Sequence, residues 1–245
     1  MTLDVLKRAL CGMETRDPPR PVPWDTDIFY SDDKRYRGVD WPRTAWTMIG
    51  LARLNHLESC VEQVLDAGVP GDLLEAGVWR GGACVLMRAI LASRGVTDRV
   101  VWAADSFAGF PPDDAQAEGL AGSEQSYLAV PLEEVQGNFA ACGLLDDQVQ
   151  FLPGYFADTL PDAPVEKLAV LRLDGDLHSS TRTVLDCLYP KVARGGFVIV
   201  DDWSLDGCRA AVLEYRTDHA IRAPLVPVPD CQHEDKPVAV YWRVS

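Results

Sequence analysis

Short apolar runs that stop at acidic residues alternate with stretches of helical spacing through most of this chain. The two clearest runs are Leu168-Ala-Val-Leu-Arg-Leu-Asp174 and Gly195-Gly-Phe-Val-Ile-Val-Asp201-Asp202. Each reads as a buried parallel strand whose carboxyl end delivers carboxylates. Residues 180–192 between them carry helical apolar spacing, with Ser179, Ser180 or Thr181 as the N-cap. A right-handed strand–helix–strand crossover places both strand ends on one edge of the sheet. Open α/β sheets bind ligands at that edge. The spacing therefore predicts that Asp174, Asp201 and Asp202 converge. Converging carboxylates repel one another and need a cation or raised pKa values to coexist. Oxygen-only ligands favour a hard ion such as Mg2+.

Upstream, residues 4–12 have the pattern of a short amphipathic helix ending at Gly12. Residues 17–43, rich in Pro, Asp and Trp, read as an extended arm that covers a site or a neighbouring subunit. Residues 44–65 form one long helical pattern with a broad apolar stripe from Met48 to Val64. A strand over 72–75 then leads into Glu75-Ala-Gly-Val-Trp-Arg-Gly-Gly82 and a helix over 83–93. Glycines 77, 81 and 82 let backbone approach a ligand at a helix N-terminus. Their spacing is not G-x-G-x-x-G, which disfavours a dinucleotide. The strand 100–105 ends at Asp105, an acid placed either to accept both hydroxyls of a ribose or to cap a helix. Residues 106–130 read as a long loop with a mobile lid. A helix over 132–143, a strand over 149–156 and a turn at 158–161 follow. After Asp202, residues 208–219 are helical, and 224–228 with 238–243 form a closing antiparallel pair. The fold class is thus α/β: a mostly parallel seven-stranded Rossmann-like sheet with a C-terminal antiparallel pair. Residues 1–70 are an N-terminal helical arm and 71–245 the core.

Composition narrows the partners. The 245 residues carry a formal net charge of −14, which argues against nucleic acid, because phosphate binding needs clustered Lys and Arg. No run approaches the roughly 18 apolar residues of a membrane helix. The N-terminal pattern is not that of a signal peptide. Seven cysteines without C-x-x-C spacing read as reduced thiols of a cytoplasmic protein.

Several motifs occur together and in order: Trp41-Pro-Arg-Thr-Ala-Trp-Thr-Met-Ile-Gly50, Leu74-Glu-Ala-Gly-Val-Trp-Arg-Gly-Gly82, Asp105-Ser-Phe-Ala-Gly-Phe-Pro111, Gly154-Tyr-Phe-Ala-Asp-Thr-Leu-Pro161, Leu171-Arg-Leu-Asp-Gly-Asp176, Val198-Ile-Val-Asp-Asp202 and Tyr241-Trp-Arg243. Across residues 40–243 the chain resembles the macrocin O-methyltransferase family, which includes the mycinamicin, tylosin and novobiocin sugar methyltransferases. The resemblance implies S-adenosylmethionine- and Mg2+-dependent methylation of a deoxysugar hydroxyl in a glycosylated natural product, by a homodimer. It implies that Asp174, Asp201 and Asp202 hold the metal. It also implies that Thr47, Met48, Glu75, Ala76, Gly77, Val78, Trp79, Asp105, Ser106, Phe107, Ala108, Gly109, Phe156, Ala157 and Asp158 line the cofactor. His178 stands where the family often has Tyr, and Trp203 where it often has Tyr after the Asp pair; both changes bear on the acceptor.

An alcohol must lose its proton as it attacks a methyl sulfonium, so a carboxylate base is needed. Asp176 is the first candidate, Asp174 a ligand and second candidate, and His178 a third. Two rival readings are a Mg2+-dependent phosphohydrolase using Asp174 and Asp176, and a non-catalytic cofactor-binding module. A dehydrogenase fits less well, because the only Tyr-x-x-x-Lys, Tyr30 to Lys34, lies in the arm before the sheet.

Overall fold

The computed structural model describes residues 2–22, 26–117, 123–233 and 236–245. Five strands run parallel: β1 (Asp72–Ala76), β2 (Val101–Asp105), β3 (Val149–Pro153), β4 (Leu168–Leu173) and β5 (Val192–Val200). Four short strands follow: β6 (Val226–Pro227), β7 (Gln232–His233), β8 (Lys236–Pro237) and β9 (Val240–Arg243). The main sheet has seven strands in the order β3-β2-β1-β4-β5-β9-β6, with β9 antiparallel to both neighbours. β7 and β8 form a separate small ribbon. The predicted sheet and its antiparallel finish are present. Strand order reverses between β1 and β4, so a crevice opens beyond the carboxyl ends of these two strands.

Among the described residues, ten α-helices surround the sheet: α1 (Leu3–Leu10), α2 (Asp32–Arg37), α3 (Gly50–Asp66), α4 (Gly82–Ser93), α5 (Pro112–Ala117), α6 (Ser123–Leu128), α7 (Leu132–Ala141), α8 (Phe156–Thr159), α9 (His178–Leu188) and α10 (Asp206–Asp218). Successive strand residues point to opposite faces, and both faces are covered. Leu73, Val101 and Ile199 pack with α1, α3, α4 and α7, whereas Leu74, Trp102 and Val200 pack with α9 and α10. Continuous apolar strands without polar alternation are the sequence trace of this two-sided burial.

Several boundaries differ from the sequence expectation. Residues 44–49 are not helical; α3 starts at Gly50, whose φ of 73° breaks the pattern. Backbone donors there go elsewhere: Thr44 and Ala45 donate to the Asp17 carboxylate at 2.8 and 2.9 Å, and Trp46 and Thr47 to the Leu10 carbonyl. The arm is not simply extended. It contains α2, and Arg35 is fully buried with Asp40, 2.9 Å away, while bonding the carbonyls of Cys11 and Asp17. None of Ser179, Ser180 and Thr181 caps α9; its N-cap is Leu177, and Ser179 instead donates to Asp114 at 2.7 Å. β3 stops at Pro153, because the chain turns at Gly154 and Phe156 opens α8. The stretch expected as one long loop holds α5 and α6; its residues 118–122 lie outside the described residues.

Candidate active site

The carboxyl ends of β1, β2, β4 and β5 open into one cavity of about 350 Å3. Thr47, Met48, Glu75, Gly77, Val78, Trp79, Asp105, Ser106, Gly109, Phe156, Asp174, Asp176, Asp201 and Asp202 all line it. Ala76, Phe107, Ala108, Ala157 and Asp158 stand outside that lining. Ala76 is fully buried in β1, and Phe107 packs edge-on against Phe151. His178 is also outside; it sits at the start of α9 and pairs with Glu214 at 2.9 Å.

Asp174, Asp201 and Asp202 each bring a carboxylate oxygen within 4.8 Å of the others. Two arginines are built into the floor beneath them. Arg172 points out of β4, 1 % exposed, between Glu75, Asp174 and Asp201. Its Nη1 donates to Glu75 and, at 2.7 Å, to Asp174 Oδ2. Its Nη2 lies 2.6 Å from Asp201 Oδ1, off the hydrogen-bonding direction, so that contact is an ion pair only. Arg53 of α3 donates to Asp201 Oδ2. Asp202 Oδ2 accepts the backbone N–H of Asp176 at 3.0 Å. That contact is made possible by the left-handed backbone of Asp176, φ 56°.

Five carboxylates therefore meet two guanidiniums, leaving an excess of three negative charges if all ionise. Burial adds to that excess in raising these acids. Burial raises Asp174, against the pull of Arg172. Burial, then Asp176, Asp174 and Asp201, hold Asp202 well above the ordinary carboxylate range. Burial pushes Glu75 up to about 7, against the pull of Arg172. A compact all-oxygen donor set whose protons are held by burial, and at Asp202 also by neighbouring acids, is the environment a hard dication relieves. The residues present fit such an ion.

The glycine turn has a second role beside the one its sequence suggests. A Cβ on Gly77 would sit 1.7 Å from the carbonyl oxygen of Asp174, and φ there is 91°. Its lack of a side chain lets the exits of β1 and β4 touch, so it serves the chain's own backbone before any ligand. Asp105 ties this turn to the next one. Its Oδ2 accepts from the N–H of Val78 and Trp79 at 2.8 and 3.3 Å, and its Oδ1 from Phe107 N–H at 2.8 Å. Three backbone donors occupy most of the roughly four acceptor positions of a carboxylate.

Sequence reasoning missed Arg53 and Arg172. Arg172 left a visible signal, because a lone cation inside an apolar strand is buried only with partners. Arg53 left none beyond its place in a helical stripe.

The family model of the macrocin O-methyltransferases (TylF) matches residues 19–244. The chain belongs to the macrocin O-methyltransferase family. It is 47% identical over 250 residues to mycinamicin III 3''-O-methyltransferase of Micromonospora griseorubida, covering 99% of this chain and 96% of the relative. It is 48% identical over 250 residues to demethyldecarbamoylnovobiocin O-methyltransferase of Streptomyces niveus, covering 98% and 92%. A relative from Streptomyces olivaceus, 8-demethyl-8-(2,3-dimethoxy-alpha-L-rhamnosyl)-tetracenomycin-C 4'-O-methyltransferase, is 47% identical over 249 residues, 98% of this chain and 91% of its own. The solved structure of the O-methyltransferase NovP superposes with a TM-score of 0.90 at 45% identity, over 99% and 98% of the two chains. Calicheamicin methyltransferase CalS11 gives a TM-score of 0.60 at 25% identity over 79% of each. The fold of this family member is the Rossmann-like fold of S-adenosylmethionine-dependent methyltransferases.

Proposed function

We propose that this chain moves a methyl group from S-adenosylmethionine to a hydroxyl of a deoxysugar in a glycosylated natural product, with Mg2+ at the carboxylate cluster. The observation that carries the reading is the cluster itself: three acids within 4.8 Å, facing one cavity with the β1 glycine turn. The relatives' names support an antibiotic glycoside as acceptor, since they place methylation on mycinamicin III, demethyldecarbamoylnovobiocin and a rhamnosyl tetracenomycin. The same reading makes the chain a cytoplasmic homodimer in which residues 1–70 cover a 71–245 catalytic core.

In this reading Asp174, Asp201 and Asp202 hold the metal. The segments 47–48, 75–79, 105–109 and 156–158 hold the cofactor. Bound Mg2+ would supply acidification of a sugar hydroxyl at neutral pH. The base is Asp176, which lines the cavity beside the cluster and is aimed by its own backbone bond to Asp202. Asp174 is the second candidate, but Arg172 holds one of its oxygens. Much of the rate comes from alignment of acceptor oxygen, methyl carbon and sulfur in a line. Met48, Trp79 and Phe156 form apolar parts of the wall that keep bulk water from the methyl group.

Calorimetric titration with S-adenosylhomocysteine, S-adenosylmethionine and NAD tests the cofactor: micromolar binding of the first two and none of NAD is expected. If neither sulfur compound binds, the reading fails. Asp202→Asn tests the metal. Methyl transfer should fall at least about 100-fold and lose its response to Mg2+, with S-adenosylhomocysteine affinity within about threefold. Full turnover of the parent protein in chelator sinks the metal assignment.

A further inference from the structure

Arg53 reaches three separate pieces of the cavity wall with one guanidinium. Nε donates to the carbonyl of Ile49 at 2.7 Å, Nη2 to the carbonyl of Gly38 at 2.6 Å, and Nη1 to Asp201 Oδ2. Ile49 directly follows Thr47 and Met48, which line the cavity. Gly38 directly precedes Val39, which lines it from the arm. Asp201 belongs to the carboxylate cluster. The side chain is 8 % exposed, so these bonds are made away from bulk solvent.

A second observation shows that this junction is built for close contact. Gly38 and Gly50 both have left-handed backbones, φ 66° and 73°. A Cβ on Gly38 would lie 2.1 Å from the carbonyl oxygen of Ile49, and one on Gly50 would lie 2.3 Å from the Gly38 nitrogen. The arm thus crosses the start of α3 backbone to backbone, and Arg53 spans the crossing. A planar fork with five donors can hold three acceptors at once, which an ammonium on a flexible stem cannot do at fixed angles.

We propose that Arg53 is a positioning residue that sets the arm wall of the cavity by tying Gly38 and Ile49 to Asp201. Through it residues 38–49 are held at a fixed distance from the end of β5 at Asp201. The arm is then part of the ligand site and responds to changes made at Asp201, some distance along the chain. The proposal rests on the cavity being the ligand site but not on which reaction occurs there.

Hydrogen exchange read by mass spectrometry on the full chain tests this without any turnover assay. The amides of Val39, Trp46 and Thr47 are hydrogen-bonded to Lys34 and Leu10 carbonyls and report on the arm. In Arg53→Met their exchange should quicken at least tenfold, while amides of β1 and β4 keep their protection. Arg53→Lys should show the same arm loosening, because one nitrogen cannot serve three acceptors. Asp201→Asn leaves Arg53 in place and removes the charge that it shares with Arg172; arm exchange should rise several-fold, while the amides of β4 beside Arg172 keep their protection. S-adenosylhomocysteine affinity should fall about tenfold in Arg53→Met. A uniform rise in exchange across sheet and arm means that Arg53 only stabilises the core, and overturns the proposal. So does unchanged arm exchange in Asp201→Asn, which decides the matter even where Arg53→Met does not fold. If S-adenosylhomocysteine binds to none of the proteins, the methyltransferase reading fails while the exchange result still stands.

Discussion

Three non-glycine residues with left-handed backbones sit at this cavity or on its turns: Trp79 at φ 46°, Phe107 at 54° and Asp176 at 56°. Such conformations cost of order 1–3 kcal/mol each and persist where surrounding contacts over-determine them. Asp105 does that for the first two by taking their N–H groups, and Asp202 does it for the third. Asn tolerates the left-handed region nearly as well as Asp. Asp176→Asn should therefore fold normally and bind S-adenosylhomocysteine as before, while methyl transfer falls by on the order of 10²- to 10⁴-fold. Thermal unfolding and single-turnover assays on the same preparation check both halves. His56 offers a stability prediction. It packs on Tyr241 beneath the cluster, and burial lowers its pKa to about 4, opposed by Asp201 and reinforced by Arg172. Below about pH 6.5 the unfolded chain protonates this histidine but the folded chain does not, so stability falls as pH drops towards 4. Relative to His56→Gln, the parent protein should lose on the order of 3 kcal/mol between pH 7 and pH 4. Denaturant titrations of both proteins across that range measure the difference, and parallel curves would refute it.

The parallel strands and the helices α4, α7 and α10 were legible in the sequence, because each is long or apolar enough for its period to show. The convergence of Asp174, Asp201 and Asp202 was legible too, since strand ends after a right-handed crossover must share an edge. What period could not show is competition for backbone donors. Residues 44–49 have the apolar spacing of a helix, yet Asp17 and Leu10 take their N–H groups from far away in sequence. Arg35 and Asp40 were hidden for a related reason: a buried ion pair looks in sequence like ordinary surface charge. Gly77 was read as room for a ligand, and the contact it relieves comes from another strand. That contact makes an element-level prediction. Gly77→Ala drives a methyl group into the Asp174 carbonyl and should destabilise the protein by more than about 3 kcal/mol. Gly68→Ala has a similar left-handed φ of 62° with nothing within 4 Å, and should cost only about 1–2 kcal/mol. Chemical denaturation of the two variants separates collision from backbone strain.

At the scale of the whole molecule the charge of −14 continues into the cavity. Glu75, Asp105, Asp174, Asp176, Asp201 and Asp202 line it, and Arg53 is the cation among the described lining residues. A ligand carrying a diphosphate would meet like charge here with no side-chain cation to spare, because Arg53 is engaged by Ile49, Gly38 and Asp201. Neutral glycosides should therefore be methylated with kcat/KM at least about 100-fold above the matching nucleoside-diphosphate sugars. Paired assays on one sugar in both forms measure this, and equal rates would refute it. The sheet order has a consequence in time as well. β9 lies between β5 and β6, with Trp242 fully buried, and is the last strand of the sheet in the chain. A ribosome makes it last. Until residues 240–243 emerge, β5 has an open edge and the strand that ends at Asp201 lacks one neighbour. The strand that carries Asp201 thus gains its second neighbour only after residues 240–243 have been made.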